Sequence, residues 1–561
     1  MTRVPVFTSL HGYRPGWIRP DIVAGLTVWA VLVPEALAYA TIAGVPPVVG
    51  LYAAVPALIL YAAAGSSRHL VVGPMSATAA LSAAIIAPLA GADGGRYVAL
   101  SAVLAIATGI AGLLAGLLRL GFIASFISEP VLKGFIVGLA LTIIIGQVPK
   151  LFGIDKSEGN FFEQSWGVLT GLGGTDWRTL AVGASGLALV LGVKRWLPLV
   201  PGSLLAVLLG IGAVTAFGLD DEGVEIVGHI ESGLPSVGLP SGITFGDYVD
   251  LLGPAVGVLL IGFAEGLGAA KTYAAKEGYE ISPNRELTGL GAANLGSGLC
   301  SGMVVNGSLS KTAVNGGAGA KTQLSGLVVA ALTVLTLLFL TGLFEKLPEA
   351  TLAAVVIAAV IELVDFASLR RLYAVWTSRL GSIYGHAARA DFAGAIAAMI
   401  GVLLFDTLPG LVIGIGVSML LLLYRASRPN VTALVRSGER WVDAQHSPET
   451  AADPRVLVVR VEAGLFFANA DHVKSRIEDM VDTHTQVVVL DAETSPFVDV
   501  TAAAMLEQLR KSLKSGGTEF RIARDVGQFR DILLRSTTSD TPAIFPTVRE
   551  ALADIDGDAS P

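Results

Sequence analysis

Cysteine is nearly absent from this chain: Cys300 is its single representative among 561 residues. An intramolecular disulfide and a cysteine-rich metal site are thereby excluded. Charge is scarce as well, with Asp, Glu, Lys and Arg making up 15% against 53% hydrophobic residues. A soluble domain does not have that balance. The charges sit mainly in loops and in the C-terminal part, so the net charge of −8 identifies no partner, and nothing points to nucleic acid. A cleaved signal peptide is missing too, because the first twenty residues lack the basic, apolar and small-residue layout it needs. No Gly-x4-Gly-Lys-Ser/Thr loop and no nucleophile–base set occurs, which argues against an ATP-driven pump and against an enzyme. No cofactor or metal is expected.

What the chain does have is apolar length. A transmembrane helix needs roughly 20 mainly apolar residues, and stretches of about that size recur from Asp21 to Tyr424. Within them lies one that cannot face lipid as an ordinary helix: Ser301-Gly-Met-Val-Val-Asn306-Gly307-Ser308-Leu-Ser310-Lys311-Thr312-Ala-Val-Asn315-Gly316-Gly317. Hydrocarbon leaves unpaired backbone groups unsatisfied, so broken backbone at this depth has to line a cavity. The expectation is a short extended piece ending near Gly307 and a half-helix from Ser308, whose free N–H groups and dipole offer an anion site. A second break follows the same plan. Val71-Val72-Gly73-Pro74 leads into Met75-Ser76-Ala77-Thr78, with proline where the first turn needs no donor and hydroxyl residues opening the helix.

Two glutamates sit inside apolar spans, where a carboxylate costs about 2.5–3.5 kcal/mol on insertion scales. Glu35-Ala-Leu-Ala matches Glu265-Gly-Leu-Gly about 230 positions on, and Val71-Val-Gly-Pro faces Val304-Val-Asn-Gly at nearly the same offset. The chain therefore reads as a tandem repeat, about 21–217 and 250–425, each copy with seven spans. Seven is odd, so the second copy crosses in the opposite sense. The result is a 14-span inverted repeat with a broken element in corresponding positions. Arg68, Arg119, Lys194-Arg195, Lys271, Lys276, Arg285, Lys321 and Arg370-Arg371 fall on one side, which the positive-inside rule makes cytoplasmic. After residues 1–425, residues 426–454 read as a linker. Residues 455–561 alternate strand and helix as a soluble α/β domain on the cytoplasmic side.

The chain resembles the SulP sulfate-permease family, relatives of prestin. The resemblance rests on Val33-Pro-Glu35-Ala-Leu-Ala-Tyr39-Ala, Gly44-Val-Pro46-Pro47, Gly65-Ser-Ser-Arg68 with Val72-Gly73-Pro74, Asn294, Ser308-Leu-Ser310-Lys311-Thr312 and Lys321-Thr-Gln323-Leu324. Leu465-Phe-Phe-Ala-Asn469 and Asp499-Val-Thr501 resemble its C-terminal STAS domain. The family implies a core moving against a gate in elevator-type alternating access, usually in a homodimer at the plasma membrane with its STAS domains beneath. It implies an anion held between the half-helices, near Ser76, Thr78, Ser308, Ser310 and Lys311, with Tyr39 as a lining aromatic. Glu265 matches an acidic residue linked to proton or sodium coupling. Many relatives carry glutamine in place of Glu35, which adds a second titratable group here, and many animal members carry arginine in place of Lys311.

Each residue also has a plainer reading. Glu35 can snorkel at a helix end, Lys311 can reach the cytoplasmic side and only orient its helix, and Tyr39 can be core packing. Ser76, Thr78, Ser308 and Ser310 can be small residues that let helices approach. Thr501 occupies the loop where related soluble STAS proteins are phosphorylated, but a strand-end Asp499-Val-Thr is more often a helix cap. The leading expectation is a proton-coupled carrier taking up sulfate or a similar oxyanion. A bicarbonate or four-carbon dicarboxylate carrier, or a non-transporting anion-sensing scaffold, is the alternative.

Overall fold

Long apolar runs without glycine–proline breaks become helices, since helical hydrogen bonding satisfies every backbone group within the segment. The computed structural model describes residues 6–91, 93–122, 129–157, 159–197, 200–377, 387–405, 407–438, 440–444, 453–536 and 543–556. The first half gives α1 (Ile18–Ile42), α2 (Pro47–Ala64), β1 (Val71–Gly73), α3 (Ser76–Ala90), α4 (Gly94–Leu117), α5 (Glu129–Phe152), α6 (Phe161–Gly171), α7 (Trp177–Trp196) and α8 (Gly202–Phe217). The second gives α9 (Phe245–Glu277), α10 (Pro283–Leu299), β2 (Asn306–Ser308), α11 (Leu309–Gly317), α12 (Leu324–Leu335), α13 (Glu349–Val360), α14 (Phe366–Thr377) and two last helices, Ala387–Phe405 and Thr407–Ser427. By length and composition, six helices among the described residues can each cross a membrane, and five shorter apolar helices join them.

Two elements depart from expectation. Helix α6 falls between the expected spans, where Asp155, Lys156, Glu158 and Glu163 read as a polar loop; an Asn160–Glu163 capping box starts it, and its 11 residues are too few to register as a span. Helix α14 carries Arg370 and Arg371, which were read as loop charges.

The helices sort into two packing groups. Helix α10 packs on α4 and α2, α1 on α12 and α2, and α9 on α4; separately, α13 packs on α5 and α7, and α5 on Ala387–Phe405. Helix α1 bridges the groups through α8 and α13, and α3 touches α5. In the first group the two breaks meet. Strands β1 and β2 pair antiparallel, Val71 opposite Ser308 and Gly73 opposite Asn306. Each strand runs straight into its half-helix, so α3 and α11 leave the pair in opposite directions, as an inverted repeat requires.

The division of the chain by internal packing gives units Met1–Ser418 and Met419–Pro561. In the second, a six-stranded sheet has the order β4 (Arg440–Asp443), β3 (Val431–Ser437), β5 (Val456–Val461), β6 (Val487–Asp491), β7 (Glu519–Ala523), β8 (Ala543–Phe545). Strands β5 to β8 are parallel, and β3 pairs antiparallel with both β4 and β5. The 426–454 linker is therefore corrected: β3 and β4 within it form one side of the sheet, and Val431 and Leu434 are buried there. Helices Ala470–Glu478 and Val500–Ser515 cover a core of Val459, Val461, Val488, Leu490, Leu506 and Leu509. The buried Asp491 carboxylate holds Arg460 and Arg524 across neighbouring strands.

Gly50 on α2 marks how closely the first group is packed, because a Cβ there would stand 2.0 Å from the Ala36 carbonyl oxygen of α1. Backbone cannot yield as a side chain does, so Gly50→Ala is expected to cost about 1–3 kcal/mol or more. Thermal unfolding in detergent should register that loss, while Gly212→Ala, which meets nothing within 4 Å, leaves the melting temperature unchanged.

Candidate functional site

Unpaired strand ends inside a membrane domain need partners, and side chains supply them. Asn294 of α10 brackets Val305, donating from Nδ2 to its carbonyl at 2.9 Å and accepting its N–H at 3.0 Å. Ser297 donates to the Met303 carbonyl, and Gln323 Nε2 donates to the carbonyls of Ser67 and Leu70 at 3.1 and 2.9 Å. Thr312 Oγ1 accepts the Val71 N–H at 3.1 Å and Asn315 donates to the His69 carbonyl at 2.9 Å, so α11 also holds the approach to β1. Two buried carboxylates fix the flanking loops. Glu286 accepts from the Tyr61 hydroxyl, the Ser66 N–H and hydroxyl and the Ser67 N–H; Asp21 accepts from the Lys321 and Thr322 N–H groups and the Thr322 hydroxyl.

Strand β2 passes close to α9 because Gly262 and Gly266 present no side chain. A Cβ at Gly266 would lie 3.3 Å from the Asn306 amide oxygen, and one at Gly307 would lie 3.0 Å from the Gly266 Cα. This contact sets Glu265 beside the broken element.

On that frame Lys311 is the third residue of α11, buried to 1% exposure, with Ser308 as N-cap accepting its N–H at 3.3 Å. Its ammonium points back across the break. Nζ donates to the Pro74 carbonyl just before α3 at 3.0 Å, lies 2.9 Å from Glu35 Oε2, and stands 4.9 Å from the centre of the Tyr39 ring. The Glu35 contact is ionic and is not aligned as a hydrogen bond. Both plainer readings fail here: Glu35 is buried and paired, and Lys311 turns inward. A cation near a helix N-terminus opposes the dipole, and the Glu35 carboxylate offsets it. Glu265 is half-buried on α9, within electrostatic range of Lys311 and Tyr39.

The hydroxyl residues divide. Ser308 and Ser310 lie side by side, with Oγ atoms 3.1 Å apart. Ser76 is buried as the first residue of α3, whereas the Thr78 hydroxyl donates to the Met75 carbonyl of its own first turn at 3.3 Å. Access to the two half-helices is unequal. On α11, Leu309, Ser310, Ala313 and Gly317 form an exposed face, continued on α9 by Gly268, Lys271 and Thr272; on α3, Ser76 to Ala79 are buried. In the second unit, Thr501 is exposed in the first turn of Val500–Ser515. The cap is Asp499, which accepts the Ala502 N–H at 2.8 Å and also the Phe467 N–H at 2.9 Å.

Sequence reasoning quoted Asn294, Gln323 and the Ser66–Ser67 pair as family marks without finding their work, and passed over Asp21 as a partner and Glu286 as a carboxylate. The available signal was a polar side chain inside an apolar run next to a backbone break.

Facing half-helix N-termini around a buried cation, set in an inverted repeat, define a membrane carrier rather than an enzyme. The chain belongs to the sulfate permease family, whose pattern matches residues 18–383, while residues 447–551 match the STAS domain. A probable sulfate transporter of Mycobacterium tuberculosis is 37% identical over 541 residues, covering 96% of this chain and 94% of the relative. The murine Solute Carrier 26 member A9 anion transporter, described in its inward-facing state, superimposes with a TM-score of 0.87 at 21% identity, covering 99% of this chain and 94% of that one. The transmembrane domain of a cyanobacterial bicarbonate transporter, BicA, gives 0.60 at 22% identity over 71% of this chain and 98% of that one. These two likenesses establish the fold.

Replacing Asn294 with leucine removes the partner of both Val305 backbone groups. An orphaned buried group costs about 1–3 kcal/mol, so Asn294→Leu should lower the melting temperature clearly, and an unchanged melting curve would contradict the role given to this amide.

Proposed function

We propose that this chain is a secondary active anion carrier that takes up sulfate or a similar oxyanion together with protons. The observation that carries the reading is the buried Lys311 ammonium at the meeting of two half-helices, within reach of Glu35, Tyr39 and the Pro74 carbonyl. A helix N-terminus is a ready anion site, and broken helices paired across an inverted repeat are where carriers bind. In this reading Ser76, Ser308, Ser310 and Lys311 hold the anion, Tyr39 and Thr78 shape the cavity, and Glu265 and Glu35 carry protons. Sulfate is favoured over bicarbonate or a dicarboxylate by the names of the sequence relatives.

The exposed face of α11 beside the buried start of α3 supports a carrier open to one side. The loop charges support a cytoplasmic assignment for that side, with the N-terminus and the STAS domain in the cytoplasm of a cell whose plasma membrane holds the carrier. The two packing groups, bridged mainly by α1, support an elevator-type movement of one against the other across fourteen spans. A homodimer follows from the family resemblance.

Purified protein in liposomes tests this with labelled sulfate and an inward proton gradient. Wild type should accumulate sulfate in response to the gradient, and Glu265→Gln should lose most of that response. Lys311→Met should reduce uptake at low sulfate by at least about tenfold, the equivalent of about 1.4 kcal/mol, whereas Lys311→Arg keeps the charge and retains transport. Movement of bicarbonate or a dicarboxylate without sulfate would reassign the substrate; silence with every anion would favour a sensing scaffold.

A further inference from the structure

A threonine inside a helix usually returns its hydroxyl to the carbonyl four residues back. Thr142, Thr215, Thr272, Thr288 and Thr333 all do so, at 2.8–3.1 Å. Thr108 of α4 does not. Its hydroxyl has no hydrogen-bond partner among the described residues, although the residue is only 1% exposed. Asn306, the first residue of β2, shows the same departure at the same exposure: neither its amide oxygen nor its amide nitrogen has a partner among the described residues. Asn294 close by spends its amide on Leu290 and Val305. Buried polar groups in folded proteins are bonded, so three such atoms in one place require a partner.

Thr108 and Asn306 line one small cavity, enclosed by α4, α9, α10 and the chain entering β2. Asn306 fits there because Gly262 of α9 has no side chain; a Cβ at that position would stand 3.1 Å from the amide carbon and oxygen. Leu259, Phe263, Leu290 and Val304 supply apolar wall, and none of the residues lining the cavity is charged.

We propose that this cavity binds one water molecule, which bridges the Thr108 hydroxyl and the Asn306 amide. Its size, about 10 Å³, is the least that holds a single water. The chemistry of the walls selects the same ligand. An amide offers a donor and an acceptor together and a hydroxyl serves as either, so the occupant has to accept and donate at once. An anion finds no countercharge here, and a cation would lie against an amide N–H with no carboxylate in the lining; Glu265, on the same stretch of α9, is not part of it. The bridge also gives α4 a hold on the break. Asn306 stands opposite Gly73 in the strand pair and two residues before Ser308, the cap of α11. The foot of β2 is thus tied to α4 through solvent, as Val305 is tied to α10 directly through Asn294.

Thermal unfolding in detergent tests this by the sign of the change. With the water bound, Thr108→Val and Asn306→Leu each strand it against an apolar surface, and each should lower the melting temperature. Without it, both side chains carry unmade bonds, and apolar replacements of similar shape relieve that cost, so the melting temperature would hold or rise. A wild-type structure at a resolution that shows ordered water should have one peak within hydrogen-bond distance of Thr108 Oγ1 and the Asn306 amide; Thr108→Ser should keep the peak and Thr108→Val should lose it. Exchanging sodium for choline should leave wild-type melting unchanged. A Thr108→Val variant that melts no lower than wild type, the absence of that peak, or stabilisation by sodium over choline would each overturn the proposal, the last in favour of a bound cation.

Discussion

A lysine buried at the start of a helix is an unfavourable object, and the rest of the membrane unit is arranged so that it can exist. Its charge adds to the positive end of the α11 dipole, and burial removes the water that would otherwise screen it. Glu35 compensates from α1, the Pro74 carbonyl from the approach to α3, and the Tyr39 ring from one turn along α1. Removing one partner of a buried pair costs about 3–5 kcal/mol, so these elements are bound to one another through a charge.

The strand pair gives that charge a fixed place. Two three-residue strands would not persist in water, yet here each unpaired end is bonded by Asn294, Ser297, Gln323 or Thr312. Glu286 and Asp21 clamp the loops entering and leaving the pair. Glycines on α9 let β2 approach the helix that carries Glu265. The break in the helix and the polar residues around it are thus one device. The backbone is freed from the helix, and side chains from the neighbouring helices keep it from collapsing.

Much of this was legible in the chain. Glycine, proline and hydroxyl residues inside apolar runs signal broken backbone, and the recurrence of both the break and the glutamate marked the repeat, because a lipid phase tolerates neither without reason. The pairings were not legible. Glu35 meets Lys311 and Asp21 meets Thr322 across most of the membrane unit, and no local pattern announces a contact at that separation. Helices α6 and α14 escaped because they are short and amphipathic rather than apolar, and β3 and β4 because a hairpin standing before the strand–helix alternation reads as linker until the sheet that needs it is known.

The central claim is that the anion sits between the starts of α3 and α11 with Lys311 as its cation. A structure of the protein with selenate, the selenium located by its anomalous signal, tests this most directly. The account predicts one peak beside Ser308, Ser310 and the Lys311 ammonium, with the Glu35 carboxylate no longer in contact. A selenate bound elsewhere while Lys311 remains paired to Glu35 would contradict it.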